Sequence, residues 1–431
     1  MRSLTHSLSP EDAPSHRSPM WSAAAIVAML VAGATLVVSR RPDAVTNPQF
    51  WAEDGKFWFA DAYNLGIGAL FKSDEGYLLT LPRLVAAPVS GLTLSQAALV
   101  FNLVGLTAQV APAALFISRR FERVAPRVWV RAVVGLAYLL IPSFELNVTL
   151  TNAQWHLALL AVMVLVAQPP QSAAARVFDV AVLMLSGLTG PFAVVLLPAA
   201  AARCVTTTSH RHWYGTLSGM LLVTLLLQGV AVLMGHRDPV APLGISFRNA
   251  VTIVADRVVL PGTFAEEGHG HLHTAGSTAG VVIAALITVA ALGVIGFALL
   301  RGGSQLRIFL LTCLALTGLC LLAPIATPPG MTAWTSLATS DGGERYFLIA
   351  ELAWFVCVSW AISRVPRWRL RSAASVGLVA AFASGLVNSW SYAPYTDFHP
   401  DAYTAELLRA TPGTKVVVPL NPGWQMTLIR H

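Results

Sequence analysis

The sequence predicts an all-α polytopic membrane protein, and three observations predict it. Hydrophobic residues make up 55% of the 431 positions and charged residues only 11%, with a mean hydropathy of +0.64. A soluble domain carries roughly 25% charged residues. Apolar stretches of spanning length recur along the chain, and arginines gather at their ends. That placement is the positive-inside pattern, so the net charge of +7 is no sign of a nucleic-acid partner. Lys56, Lys72 and Lys415 are the lysines of the chain, and arginine supplies the other cations. With abundant alanine and valine, this fits a GC-rich bacterial genome. Cys204, Cys313, Cys320 and Cys357 lie in or beside apolar stretches, where free thiols act as small hydrophobes rather than a disulfide framework.

Taken in order, apolar spans fall near 20–39, 94–117, 129–142, 153–167, 213–235, 276–300, 306–323, 346–363 and 371–390. The first lacks a small-residue cleavage site and reads as a retained helix, after a cytoplasmic tail over 1–19. The stretch 177–202 is long enough for one span, but Ser186-Gly187-Leu188-Thr189-Gly190-Pro191 interrupts it. Proline removes a helix hydrogen bond, and the glycines loosen the preceding turn. The expectation is two short helices with their tip at the outer face, giving about 11 membrane segments.

Charge favours that choice. With the break, the N-terminus is cytoplasmic and the C-terminus outside. The inner side then receives Arg119, Arg120, Arg123, Arg127 and Arg131, then Arg203 and Arg211, Arg301 and Arg307, and the run Arg364 to Arg371. A single span at 177–202 would invert every later loop and put that run outside, against the rule. The transmembrane unit covers 20–390, with outer loops 40–93, 236–275 and 324–345 and an outer tail 391–431.

The outer loops carry most of the polar interest. In the first, Glu53 to Leu65 is amphipathic, and Asp54 and Asp61 fall seven apart on one α-helical face. Tyr77-Leu78-Leu79-Thr80-Leu81-Pro82-Arg83-Leu84-Val85 is apolar but too short to cross. Both stretches read as helices in the interface. The tail holds Lys415 to Leu420 and Gln425 to Leu428 around Asn421-Pro422-Gly423-Trp424, a β-hairpin pattern in an appendage too short for a domain.

Candidate site residues collect at outer span ends. Phe50-Trp51-Ala52-Glu53-Asp54-Gly55 joins aromatics to two adjacent carboxylates. The same side offers Tyr77, Arg83, Asn147, Asn152, Gln154, His156, Thr189, Glu344, Arg345 and Tyr346. Polar groups near a bilayer are costly and mark function by default.

With Gly76-Tyr77-Leu78, Pro82-Arg83-Leu84, Thr151-Asn152-Ala153-Gln154-Trp155, Leu188-Thr189-Gly190-Pro191 and Arg345-Tyr346, these motifs resemble a bacterial group within the GT-C glycosyltransferase superfamily. The likeness implies a membrane enzyme that takes a sugar from a polyprenyl phosphate on the outer face of the inner membrane. The acceptor would be a polysaccharide, glycolipid or protein of the cell envelope. It implies inversion at the anomeric carbon, with Asp54 or Glu53 as general base. Arg345 and Tyr346 would grip the lipid phosphate, with Arg83 second. Tyr77, Asn152, Gln154, His156 and Thr189 would line the substrate pocket. The partners implied are the lipid bilayer, the polyprenyl-linked sugar and the glycan, glycolipid or protein acceptor, with no cofactor and no metal.

Simpler roles exist for each residue. Glu53-Asp54 suits the N-cap of an interfacial helix. Arg345 suits a pair with Glu344 or Asp341, Arg83 a snorkelling side chain, and His156 a hydrogen-bonded core position. Glu266, Glu267, His269, His271 and His273 look metal-like, but their spacing matches no standard zinc site. Two other functions stand against transfer: a transporter or flippase for polyprenyl-linked sugars, and a non-catalytic envelope scaffold. Transport would call for inverted repeats and midplane charges. No repeat is found, and Asp179 and Glu351 are the acids nearest span interiors.

Overall fold

The computed structural model describes residues 19–74, 76–235, 241–266, 277–322, 324, 327–340 and 342–431. The chain is mostly helical and ends in a two-stranded sheet. Helix α1 (Pro19–Arg40) is followed by α2 (Asp43–Thr46), a π-helix (Asp54–Phe59), α3 (Ala60–Leu65) and α4 (Thr80–Val89). Then come α5 (Leu94–Ile117), α6 (Val128–Leu140), α7 (Ala153–Val166), α8 (Ala173–Leu188), α9 (Ala193–Thr206) and α10 (Arg211–Met234). A bent helix follows: α11 (Phe247–Val254), a π-helical turn (Ala255–Val259) and α12 (Leu260–Phe264). Helices α13 (Thr278–Arg301), α14 (Ser304–Leu322), α15 (Ala333–Thr339), α16 (Leu348–Ser363) and α17 (Trp368–Ser389) complete the bundle. The tail adds α18 (Pro400–Arg409), β1 (Lys415–Leu420) and β2 (Trp424–Ile429).

Among the described residues, six helices are long and apolar enough to cross a bilayer: α1, α5, α10, α13, α14 and α17. Together they make this a multi-pass membrane protein. The remaining five expected segments are helices too, but α6, α7, α8, α9 and α16 have 13 to 16 residues. At 1.5 Å per residue α7 is about 21 Å long, short of a ~30 Å hydrocarbon core. The break at 186–191 falls where the sequence puts it, between α8 and α9.

Helix α7 shows why short helices are tolerated. Every residue but Gln154 is buried, so it is apolar all round and lies inside the bundle against α5, α8 and α9. Close approach to α5 is made at Gly105, where a Cβ would lie 2.7 Å from the Thr149 carbonyl carbon. Gly105→Ala should therefore push the 142–152 connection and lower stability by ~1–3 kcal/mol, measured by thermal unfolding in detergent. Helix α5 begins with a complete capping box: Thr93 Oγ1 accepts from the Gln96 N–H and Gln96 Oε1 from the Thr93 N–H.

At the opposite end of the bundle, Arg120 grips Asp179 through Nη1 and Nη2 at 2.6 and 2.8 Å and donates to the Gln168 carbonyl. Asp179 is fully buried, so removing its partner would strand a charge. Arg120→Met should cost about 3 kcal/mol of unfolding free energy. Asp179→Leu added to it should recover most of the loss, a double-mutant comparison read in denaturant titrations.

The tail is more than an appendage, because it closes over the first loop. The Ala52 N–H donates to the Asn421 carbonyl, and Leu420 packs where a Gly55 Cβ would be. Leu407, Val416, Val418, Leu420, Met426 and Leu428 form a second core with Phe50, Trp58, Phe59 and Phe101. The hairpin is as expected, with Val417 opposite Thr427; helix α18 is an addition. The α-helical spacing expected of Asp54 and Asp61 does not hold. A π-helical turn separates them, and they reach different partners.

Candidate functional site

Three connections meet at one end of the bundle: 50–54 after α1, 142–152 between α6 and α7, and 342–347 before α16. Two residues there are held at positive φ without being glycine, Ala52 at 35° and Val148 at 59°. Such conformations cost ~1–3 kcal/mol each and persist only where the surroundings impose them. Trp51 stacks on Tyr395 at 5.3 Å and meets Phe144 edge-on at 5.4 Å, while Asn421 holds the Ala52 N–H. The Val148 N–H is held by Gln109 Oε1 at 3.1 Å. Both strained residues lie beside the candidate groups.

The carboxylate pair separates clearly. Asp54 is fully buried; its Oδ1 accepts the Thr151 N–H at 2.8 Å and its Oδ2 has no hydrogen-bond partner. Burial, and then the Glu53 charge, raise the Asp54 pKa well above its ordinary value, against the lowering effect of the backbone N–H groups. Glu53 is half-buried at the N-cap of the π-helix and makes no capping hydrogen bond. The pair does sit at a helix start, as the cap reading has it, but the Asp54 side chain reaches the Thr151 N–H before α7 and not its own helix. Trp58 supports the same spot by donating Nε1–H to Thr151 Oγ1 at 2.9 Å.

Arg345 lies on the 342–347 connection just before α16. Its side chain is 22% exposed, and its Nη1 donates to Glu145 Oε2 at 3.1 Å. Glu344 accepts from Ser143 Oγ at 3.2 Å. Asp341 lies outside the described residues. Burial alone would lower the Arg345 pKa; Tyr346, Glu145 and Glu53 outweigh it and raise the value. Glu53 thus lies within electrostatic reach of a permanently charged guanidinium. Glu145 is the residue that sequence reasoning missed. Besides Arg345 it accepts the Gly343 N–H, and its carbonyl receives Asn152 Nδ2 at 2.7 Å and Thr149 Oγ1. No local pattern announces it, because Arg345 is 200 residues away.

The other candidates divide. Tyr346 stacks under Arg345, with the guanidinium carbon 5.1 Å from its ring centre, and packs edge-on against Trp155 at 5.6 Å. Asn152 joins this group through Glu145. His156 sits deeper, 2% exposed, with Nδ1 2.7 Å from the Tyr138 hydroxyl and Nε2 3.3 Å from the Leu146 carbonyl. That is a satisfied core histidine. Thr189 and Tyr77 lie at the α8–α9 break. There Thr189 Oγ1 accepts the Leu81 N–H, and Leu79 forms a bridge with Thr189. Gln228 binds both backbone groups of Leu78 and the carbonyls of Gly187 and Gly190. The break is thereby sealed by the 77–81 segment. Gln154 is half-buried beside Gly190.

Arg83 does not snorkel. It is 2% exposed, donates to Asp61 at 3.2 Å and covers the Trp58 ring at 5.0 Å. Three further buried arginines, Arg40, Arg41 and Arg257, brace the site. Arg40 donates to the Ser389 and Trp390 carbonyls, and Arg41 to the Tyr395 hydroxyl within a cage of Phe144 and Tyr395 rings. Arg257 donates to the Ser340 and Gly342 carbonyls, which fixes the approach to Arg345. No group of three or more metal-binding side chains occurs among the described residues. Of the histidine-rich cluster only Glu266 is described.

Comparisons with family models, curated proteins and solved structures returned no match.

Proposed function

We propose that the chain is a GT-C-like glycosyltransferase that moves a sugar from a polyprenyl phosphate to a cell-envelope acceptor on the outer face of the bacterial inner membrane. Eleven crossings, with the N-terminus inside, would place the Glu53–Arg345 end of the bundle outside. The short helices would cross by leaning on their neighbours and on local thinning of the bilayer. One observation carries the reading: the half-buried Glu53 lies within electrostatic reach of Arg345, where two strained connections meet.

In this reaction the acceptor oxygen bonds to the anomeric carbon while the bond from that carbon to the phosphate oxygen breaks. Glu53 takes the hydroxyl proton, and the departing lipid phosphate carries its new charge to Arg345. Glu53 suits the base because it is the carboxylate with solvent access. Asp54, desolvated and disposed to stay protonated, suits a positioning role that sets the turn into the π-helix. A guanidinium has five donors, and the Glu145 pair takes one, through Nη1. Tyr346 holds the guanidinium plane in place.

Mass spectrometry of envelope glycans tests the proposal. A deletion strain complemented with wild type should gain a defined sugar mass that expressed Glu53→Gln does not restore. Full complementation by Glu53→Gln would remove the carboxylate from the chemistry and favour the scaffold or the flippase.

A further inference from the structure

On the π-helix that follows Glu53 lies a second feature that the transfer reaction does not use. A groove of about 640 Å³ runs between the π-helix and α3 on one side and β2 on the other. Its walls include Lys56, Phe57, Asp61, Asn64, Lys72 and Trp424. The volume falls within the ~300–1,000 Å³ of small-ligand sites. Its composition is unusual for this chain, whose cations are otherwise arginines: two of the three lysines line it.

The groove is built rather than incidental. Asn64 fixes the hairpin wall from both sides, donating Nδ2–H to the Thr427 carbonyl and accepting the Ile429 N–H, each at 2.9 Å. Trp424 is 38% exposed and meets Phe57 edge-on at 6.3 Å. Lys56 Nζ lies 4.6 Å from the Trp424 ring centre, so the cation and the aromatic surface are presented together. Lys72 pairs with Asp61 at 2.7 Å, and the buried Arg83 shares the same carboxylate. Two Arg83 nitrogens, Nε and Nη2, are buried with no hydrogen-bond partner. Among the described residues the lining carries two ammonium groups, Lys56 and Lys72, against one carboxylate, Asp61, so its side chains bear a net positive charge.

We propose that this groove binds an acidic saccharide, its ring faces against Trp424 and Phe57 and its carboxylates at Lys56 and Lys72. Aromatic surface with amide and ammonium donors matches a sugar ring bearing negative charge better than it matches a bare anion. Flexible ammonium groups suit carboxylates spaced along a chain. The proposal does not depend on the transferase reading, since binding is measured without turnover.

The test uses the full chain in neutral-lipid nanodiscs. Three probes are titrated: a galacturonic acid hexamer, its fully methyl-esterified neutral counterpart, and inorganic phosphate. The acidic hexamer should bind at least ten times more tightly than the ester, and its affinity should fall with salt. Trp424→Ala and the pair Lys56→Gln/Lys72→Gln should each weaken it at least tenfold, whereas Trp424→Phe should keep most of it. Thermal unfolding of each variant separates loss of binding from loss of fold, and Trp424→Phe still reports if the alanine variant does not fold. Failure of the acidic hexamer to bind overturns the proposal. So does equal binding of hexamer and ester, phosphate binding as tight as the hexamer's, or unchanged affinity in a folded lysine pair variant.

Discussion

Glu53→Gln should lower sugar transfer by about 10²- to 10⁴-fold, the usual worth of a positioned general base, while leaving folding and membrane insertion intact. Asp54→Asn should behave differently. Asp54 is fully buried, and its Oδ1 accepts the Thr151 N–H, which an asparagine Oδ1 can also do. The amide also imitates the neutral carboxyl that burial favours. Turnover should therefore stay within about tenfold of wild type, since only a positioning group is altered.

Stability against pH supplies the second half of this result. The folded-state pKa of Asp54 lies above its usual 3.8, so the folded protein binds this proton more tightly than the unfolded chain does. Linkage then makes the contribution fully present below the unfolded value and progressively lost as pH rises through the folded one. Wild type should lose stability relative to Asp54→Asn as pH rises above the ordinary carboxylate value, and thermal unfolding at several pH values in detergent reads the widening gap. A wild type that gained stability over that range would show Asp54 ionised in the fold. The two carboxylates would then exchange roles.

Sequence alone made the helices legible because each is written locally. Apolar runs bounded by arginines, threonines or glycines set the ends of α5, α10 and α13 to within about two residues. Gly187 to Pro191 placed the break between α8 and α9. What the break is for was not legible. Gln228 seals it from α10 and Leu79 from the first loop, and neither contact has a local signature. The same limit hid Glu145, Arg257 and the Arg41 cage, whose partners lie tens to hundreds of residues away. The π-helical turn after Glu53 was hidden for another reason. A heptad spacing reads as one face only at 3.6 residues per turn, and the wider turn sends Asp54 toward α7 and Asp61 toward Lys72. Adjacent acids in the sequence thus became two residues with different environments, one buried and one open.

Arg345→Ala should reduce transfer by about 10²- to 10³-fold in kcat/KM, ~3–4 kcal/mol of transition-state stabilisation. The loss should appear mainly in kcat, because charge builds on the phosphate as the sugar leaves. Arg345→Lys should recover only part of it, since an ammonium keeps the charge and gives up the planar fork. Glu145 makes the experiment decisive. The pair at 3.1 Å offers a purely structural role for Arg345, holding the 342–347 connection against 142–152. If that were its whole purpose, Glu145→Ala would remove the same contact and cost as much. With Arg345 acting on phosphate, Glu145→Ala should cost tenfold or less, because the guanidinium keeps its charge and its Tyr346 stack. Steady-state kinetics on a purified polyprenyl-phosphate sugar distinguishes the cases: unequal losses place the guanidinium in the chemistry, and equal losses leave it as a brace.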